Sequence, residues 1–119
     1  MTTPDLMPKV LTEKDYRQFV DQVFKTIEQA FDGVDPDIAE FEFSQGAITI
    51  LFADKSRCIL STQPSVRQIW LAAASRGVAH HFNYEQTGSR WLDDKGKGVE
   101  LTNYLKTLVR ESVGIELKL

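Results

Sequence analysis

Residues 38–52 read IAEFEFSQGAITILF, and this stretch decides the fold class. Its first half alternates phenylalanine with glutamate, and its second half places Ile48, Ile50 and Phe52 two residues apart. A period of two is typical of strands that bury one face and leave the other in water. The intervening pair Gln45-Gly46 has the composition of a tight turn, so the stretch predicts two antiparallel strands.

The same alternation of short strands and turn residues continues along the chain. Each later strand candidate is bounded by residues such as Asp, Ser, Pro or Gly, which favour turns. The predicted strands are 38–44, 47–53, 57–62, 66–73, 79–84 and 89–92. Regular spacing of this kind indicates an antiparallel meander.

A predicted helix lies on each side of the meander. Thr12 is a candidate N-cap, and the first helix should run from Glu13 until Gly33 ends it. The second helix should follow residue 100 and end at Gly114. Steps of three and four residues give each helix one apolar stripe: Tyr16, Phe19, Val20, Val23, Phe24, Ile27 and Phe31 in the first, and Leu101, Tyr104, Leu105, Leu108 and Val109 in the second.

Two one-sided helices and one sheet predict an α+β, two-layer sandwich. We expect both terminal helices on one face of a five- to six-stranded antiparallel sheet, with the other face open. Residues 1–119 should form one domain, with a core over about 12–117. The tail after Gly114 alternates apolar and charged residues and should lie extended against the protein.

Composition excludes several classes of protein. A net charge of −3 disfavours wholesale binding of nucleic acid or anionic membranes, and a single cysteine, Cys58, cannot form an internal disulfide. No apolar run is long enough to span a bilayer, and residues 1–10 resemble neither a secretory signal nor a transit peptide, so we expect a cytoplasmic protein. Common hydrolase, phosphate-loop and dinucleotide motifs are absent from the sequence.

Acidic residues are concentrated in one part of the chain. Residues 12–42 contain nine acids and three bases. Asp21, Glu28 and Asp32 share one flank of the first helix, and Glu40 and Glu42 share one side of the first strand. The predicted sandwich brings these sets together, and we name them the acidic ridge. The alternative interpretation is a solvated helix face beside an acidic turn.

Carboxylates that crowd together repel one another, and a cation relieves that repulsion. Hard oxygen ligands suit Mg, Ca, Mn and ferric iron better than soft metals. Without histidine or cysteine at ligand spacing, metal binding should be weak, spread over several sites and unselective. The same charge should attract a basic protein partner.

Trp70 is predicted on the open face of the sheet. If Ile69 and Leu71 face the helices, Trp70 stands opposite them beside Gln68. An exposed tryptophan is typical of a partner-binding surface, whereas the alternative is that neighbours such as Arg57 cover it. Trp91 should be structural, and the adjacent histidines His80 and His81 should face opposite sides.

The stretch LSTQPSVRQIWL, residues 60–71, resembles the central signature of frataxins. The spacing from Trp70 through Gly77 to His81-Phe82, and then to Trp91 and DDKG at 93–96, is also similar. The resemblance covers about residues 12–117 and favours the bacterial, CyaY-type members.

The resemblance implies a protein of iron–sulfur cluster assembly that binds ferrous and ferric iron weakly at its surface, with other divalent cations as further ligands. It implies a cysteine desulfurase and an iron–sulfur scaffold protein as partners, and a monomer without iron. No catalytic residue is expected, beyond weak oxidation of bound ferrous iron. The resemblance adds Asp35 and Asp37 to the ridge, so the predicted metal-binding set is Asp21, Glu28, Asp32, Asp35, Asp37, Glu40 and Glu42.

The predicted partner-binding set is Gln68, Trp70, Arg57 and Arg67. Two other functions remain open at this point. An open sheet with Trp70 and nearby arginines, including Arg90, suits a single-stranded nucleic-acid module, although the acidic charge opposes it. A generic protein-interaction domain without a metal is the third hypothesis.

Overall fold

The structure is a computed structural model that describes residues 11–119. Residues 1–10 lie outside this range. Two predictions concern them and lie outside the described residues: that they form no leader, and that the domain begins with them. The helices are α1 (Glu13–Phe31) and α2 (Leu101–Val113). The strands are β1 (Ala39–Ser44), β2 (Ala47–Phe52), β3 (Arg57–Gln63), β4 (Gln68–Ala73), β5 (Val78–Glu85) and β6 (Arg90–Asp93).

The six strands form one antiparallel sheet in chain order, β1-β2-β3-β4-β5-β6. Both helices pack on one face of this sheet, which confirms the predicted α+β sandwich and fixes the number of strands at six. Alternate residues of β2, β3 and β4 are buried under the helices, as their period of two predicts. Within the described residues, no helix is long and apolar enough to cross a membrane.

Helix α1 begins and packs as its sequence indicates. The Thr12 hydroxyl accepts a hydrogen bond from the Asp15 N–H at 3.0 Å, which satisfies one free amide of the first turn. The apolar stripe is buried on the sheet: Tyr16, Val20, Phe24, Ile27 and Phe31. Full burial of an aliphatic side chain such as Ile27 contributes about 1.5–3 kcal/mol, so the stripe fixes which flank of α1 faces water.

The two edges of the sheet differ. At one edge, β1 and β2 are joined by Gln45 and Gly46, whose φ angles of 51° and 75° are those of a tight hairpin turn that matches sheet twist. At the other edge, β6 is covered, because Leu92 forms a bridge with Glu100 and the Asp93 N–H donates to Val99 O at 2.9 Å. Only the β6 edge is therefore shielded by following chain within the described residues.

The loop after β6 is organised by the buried Asp93. Its carboxylate accepts backbone N–H groups from Lys95 at 3.2 Å, Lys97 at 3.1 Å and Val99 at 2.9 Å. Burial acts to raise the pKa of Asp93, but the three N–H donors together outweigh it and lower the pKa. The ionised side chain thus holds the turn that leads into α2.

Each predicted strand differs from the structure by one or two residues at one end or both. Strand β4 begins at Gln68 rather than Val66, because Pro64–Val66 forms a 3-10 turn and Arg67 is left-handed at φ 55°. Strand β5 is longer than predicted at both ends. The predicted tail packing is confirmed, since Leu117 is buried and Glu116 pairs with Arg110 of α2.

Candidate functional site

The acidic flank of α1 lies beside β1, at one edge of the sandwich. Asp21, Glu28 and Asp32 are all exposed, and Asp32 is the C-cap of the helix. The last turn of α1 contains no basic residue. A helix C-terminus favours cations, so carboxylates there oppose the helix dipole at a cost of about 0.3–1 kcal/mol each.

Two aromatic contacts join α1 to β1. The Phe41 ring stacks on Phe31 at 5.5 Å between centroids, and Phe43 meets Phe24 edge-on at 5.8 Å. Because Phe41 and Phe43 take the helix side of β1, Glu40 and Glu42 project to the open face. Glu40 and Glu42 therefore start from the opposite face of this edge, although Glu40 also lines a cavity there together with α1 residues.

The structure brings three of the predicted metal-binding residues into one concavity. Glu28 and Asp32 of α1 and Glu40 of β1 line a surface cavity of about 370 Å³ with Phe41 and the turn. Asp21 and Glu28 also line a neighbouring cavity of about 230 Å³, together with the aromatic rings of Phe24 and Phe43 and the positively charged Lys25. Glu28 is thus shared by the two cavities.

The remaining predicted metal-binding residues, Asp35, Asp37 and Glu42, do not line these two cavities. Asp35 is engaged in the turn, where its carboxylate accepts the Asp37 N–H at 2.9 Å. Asp37 is exposed in the same turn, and Glu42 lies opposite Thr49, about 7 Å along β1 from Glu40. Among residues 11–119, no group of three or more His, Cys, Asp or Glu side chains is close enough to hold a metal ion.

A polar network surrounds Trp70 on the open face. The indole N–H donates to Gln68 Oε1 at 2.8 Å, and Gln68 Nε2 donates to Asn83 Oδ1 at 3.1 Å and to Asp94 Oδ2 at 3.2 Å. His81 pairs with Trp70 in the β4–β5 register and stacks on it at 4.2 Å between ring centroids. Its Nδ1 lies 3.6 Å from Asp94 Oδ2, too far for a hydrogen bond.

This network confirms that Trp70 lies on the open face beside Gln68 but changes its expected exposure. Trp70 is partly buried, and the side chain that covers it is His81 rather than Arg57. Arg57 lies four residues before Ser61, the β3 partner of Trp70, and is therefore about 13 Å away along the strand. The sequence did not predict that His81, Asn83 and Asp94 contact Gln68 and Trp70, because these contacts depend on the strand register.

The predicted arginines are mostly engaged within the fold. Arg67 bonds Pro64 O and places its guanidinium carbon 6.0 Å from the ring centroid of Tyr16 on α1. Arg90 pairs with Glu85 at 2.9 Å. Arg57 is exposed on β3. This arrangement weighs against the nucleic-acid alternative, which needs arginines free beside Trp70.

Other residues considered from the sequence have structural surroundings. His80 faces the helix side and meets Tyr104 edge-on at 4.6 Å, so the two histidines face opposite sides as predicted. Trp91 is buried, which confirms its structural role. Burial raises the pKa of the Cys58 thiol to about 12, so it is not an activated nucleophile.

The fold and the acidic edge together define a class: two-layer α+β proteins with two helices on a six-stranded meander, an acidic helix–strand edge and a tryptophan-bearing open face. Comparison with known proteins gives the family. The frataxin-like domain matches residues 9–115, so the chain belongs to the frataxin-like family.

Relatives with similar sequences carry one name. The chain is 39% identical over 108 residues to the "Iron-sulfur cluster assembly protein CyaY" of Pseudomonas fluorescens and 36% identical over 108 residues to that of Azotobacter vinelandii. Each match covers 91% of this chain and 94% of the relative. These relatives are named as assembly proteins and not as enzymes.

Solved structures share the fold. Frataxin from Psychromonas ingrahamii superposes with a TM-score of 0.79 at 20% identity, covering 90% of this chain and 96% of that one. Trimeric frataxin from Saccharomyces cerevisiae, described as complexed with ferrous, gives a TM-score of 0.65 at 22% identity over 92% and 93% of the two chains. At these sequence identities, the two structures show only that the backbone fold is shared.

Proposed function

We propose that this protein works in iron–sulfur cluster assembly in the bacterial cytoplasm. It binds ferrous and ferric iron weakly, as cargo, at the acidic edge and modulates a complex of cysteine desulfurase and scaffold protein. Its relatives are named for cluster assembly, and one fold relative is described with ferrous. The observation that carries the proposal is the cavity lined together by Glu28, Asp32 and Glu40.

The electrostatics of this cavity favour a cation. Glu28 and Asp32 stand at the end of α1 where the helix dipole is already negative, and Glu40 approaches from β1. A cation bound at any of these carboxylates lowers the repulsion among them. Carboxylate oxygens are hard ligands, which suit ferric iron and the hard divalent cations.

The same geometry sets an upper limit on affinity. Within the described residues no three acidic or histidine side chains converge on one point, so water must complete the coordination shell. Binding should therefore be weak, salt-sensitive and shared with other divalent cations. Carboxylate ligation favours ferric over ferrous iron, so bound ferrous iron would lose its electron slowly to dissolved dioxygen, a step that requires no catalytic residue.

Two separate surfaces serve the partners in this proposal. The acidic ridge attracts a basic surface, which we assign to the desulfurase, and the open face around Trp70 contacts the scaffold. Trp70 is held by Gln68 and His81 in one orientation, so a partner pays little ordering entropy at that side chain.

Iron titration followed by backbone NMR tests the cation site. Anaerobic ferrous or ferric iron should broaden amides near Glu28, Asp32 and Glu40, and manganese should broaden the same set. The triple variant Glu28→Gln, Asp32→Asn, Glu40→Gln should lose this response. A variant with Glu13→Gln, Glu85→Gln and Glu111→Gln, matched in charge, should retain it. Broadening elsewhere, or equal loss in both variants, would refute the site.

A pull-down from a bacterial lysate tests the open face. The unaltered chain should recover a cysteine desulfurase and a scaffold protein, whereas Trp70→Ala should recover less scaffold. Leu92→Ala, also on the open face but outside the Trp70 network, is the control. Equal recovery by all three chains would remove Trp70 from the proposal.

A further inference from the structure

Within residues 11–119, no segment pairs with the outer edge of β1, whereas the β6 edge is covered by following chain. Strand β6 has four residues and is bridged by Glu100, and Asp93 is bonded to Val99 beside it. Strand β1 has six residues, and among the described residues its one pairing partner is β2. An open edge presents backbone N–H and C=O groups that can pair with another strand.

The hairpin turn determines which backbone groups of β1 face outward. In a hairpin with a two-residue loop, the flanking residues Ser44 and Ala47 bond each other, and bonded pairs then recur at every second residue. Glu42 and Glu40 therefore bond toward β2. The backbone N–H and C=O groups of Phe41 and Phe43 point to the open edge.

Two cavities accompany these outward groups on the helix side. One cavity is lined by Phe43, Phe24, Asp21, Glu28 and Lys25, and the next by Phe41 with Glu28 and other residues. Lys25 offsets part of the negative charge of the first cavity, which leaves two carboxylates against one ammonium group. They follow alternate residues of β1, which are about 7 Å apart, the spacing of side chains on one face of an added strand. Each cavity has an aromatic wall and a carboxylate rim.

This chemistry selects an arginine side chain. Its aliphatic stem can pack on Phe43, which is 50% exposed, while its guanidinium reaches the rim carboxylates. On the open face, Glu40 and Glu42 would lie beside the added strand. A second copy of this chain would bring its own glutamates to the same edge, so like charges oppose β1–β1 pairing.

We propose that β1 accepts an extended, arginine-rich segment of a partner protein as an antiparallel seventh strand, with its arginines in the cavities beside Phe43 and Phe41. This inference rests on the proposed function insofar as the partner is basic. It adds that the partner is read through backbone hydrogen bonds and side-chain alternation, in addition to charge.

Peptides with identical charge provide the test. The probe is a seven-residue peptide that alternates arginine and threonine. In antiparallel pairing, two arginines of the peptide lie opposite Phe41 and Phe43. The backbone N–H of each arginine points toward β1, and its side chain points into a cavity. Methylation of the arginine backbone nitrogens should weaken binding about tenfold, because two hydrogen bonds are lost. Methylation of the threonine nitrogens should change it less than threefold.

Amide hydrogen exchange supplies a second readout. The unmethylated peptide should protect the Phe41 and Phe43 amides, and Asp21→Asn with Glu28→Gln should reduce affinity more than Glu13→Gln with Glu111→Gln. Equal affinities of the two methylated peptides, absence of protection at both amides, or sedimentation showing β1-mediated dimers of the free chain would overturn the inference. The iron titration contains no peptide, so the two proposals fail independently.

Discussion

The Tyr16 hydroxyl ties α1 to the connection between β3 and β4, and its removal is the most direct test of the packing described above. The hydroxyl donates to Gln68 O at 2.6 Å and accepts the Gln63 N–H at 3.1 Å. The Tyr16 side chain is only 2% exposed and meets Trp91 edge-on at 6.1 Å. Tyr16→Phe deletes one oxygen and keeps the ring.

The cost follows from the two bonds that are lost. The variant leaves the Gln63 N–H and the Gln68 carbonyl without their hydrogen-bond partner at a site where the Tyr16 side chain excludes most water. An unsatisfied buried polar group costs about 1–3 kcal/mol, so the free energy of unfolding should fall by about 2 kcal/mol. With a urea m-value of about 1–3 kcal/mol/M, the midpoint should fall by about 1 M.

The hydroxyl also gives a pH signature. Burial raises the pKa of Tyr16 above its ordinary value of 10.0, although the Gln63 hydrogen bond and Arg67 act in the opposite direction. Above pH 10, the unfolded chain loses this proton before the folded chain does. The native state therefore loses stability as pH rises from about 10, and Tyr16→Phe should lack that component.

Urea unfolding followed by circular dichroism at pH 7 and pH 10.5 measures both effects. At pH 7, Tyr104→Phe is the control for the hydrogen bonds, because none is found for its hydroxyl among the described residues. Burial raises the pKa of Tyr104 as well, so it does not serve as the control at pH 10.5. A loss below about 0.5 kcal/mol for Tyr16→Phe, or equal losses in the two variants, would refute the argument, since removing a bonded buried hydroxyl costs more than that.

Three further outcomes are expected. Leu117→Ala should lower the free energy of unfolding by about 2–5 kcal/mol in urea melts, because the buried tail would leave a cavity, and a loss under 1 kcal/mol would contradict tail packing. Asp93 has a lowered pKa in the folded state, so its contribution is present above about pH 4 and is lost as pH falls further. Asp93→Asn should therefore flatten the decline in urea midpoint between pH 5 and pH 3. Cys58, whose pKa is about 12, should react with iodoacetamide at pH 8 only after unfolding, as mass spectrometry with and without urea will show.

The layer architecture was predictable because its signals are local. Alternation in 38–52, the helical stripes and the turn residues each depend on neighbours within a few positions, and the six strands follow them. The predicted start of β4 was wrong by two residues. Arg67 adopts a left-handed conformation, which is more common for glycine and which the sequence therefore does not indicate.

The candidate site was less predictable because it depends on contacts between distant segments. Alternation alone places Trp70 on the open face and Glu40 and Glu42 opposite Phe41 and Phe43. The stacking of His81 on Trp70 needs the β4–β5 register, which the 3-10 turn Ala74–Arg76 and Gly77 set. Likewise, only the crossing of α1 over β1 decides that Glu28 lies in both cavities while Glu42 lies in neither.

The position of Glu28 links the two proposals. The proposed strand would place one arginine in the cation cavity beside Phe41 and another in the cavity beside Phe43, and Glu28 lines both. A bound cation and the docked strand would therefore compete for the same negative potential. Thermodynamic linkage then requires reciprocity: if iron weakens the docked strand by some factor, the strand weakens iron by the same factor. If both proposals hold, charge at this edge would couple cargo to partner without any change of fold: iron loading would favour release of the basic segment, and docking of that segment would favour release of iron.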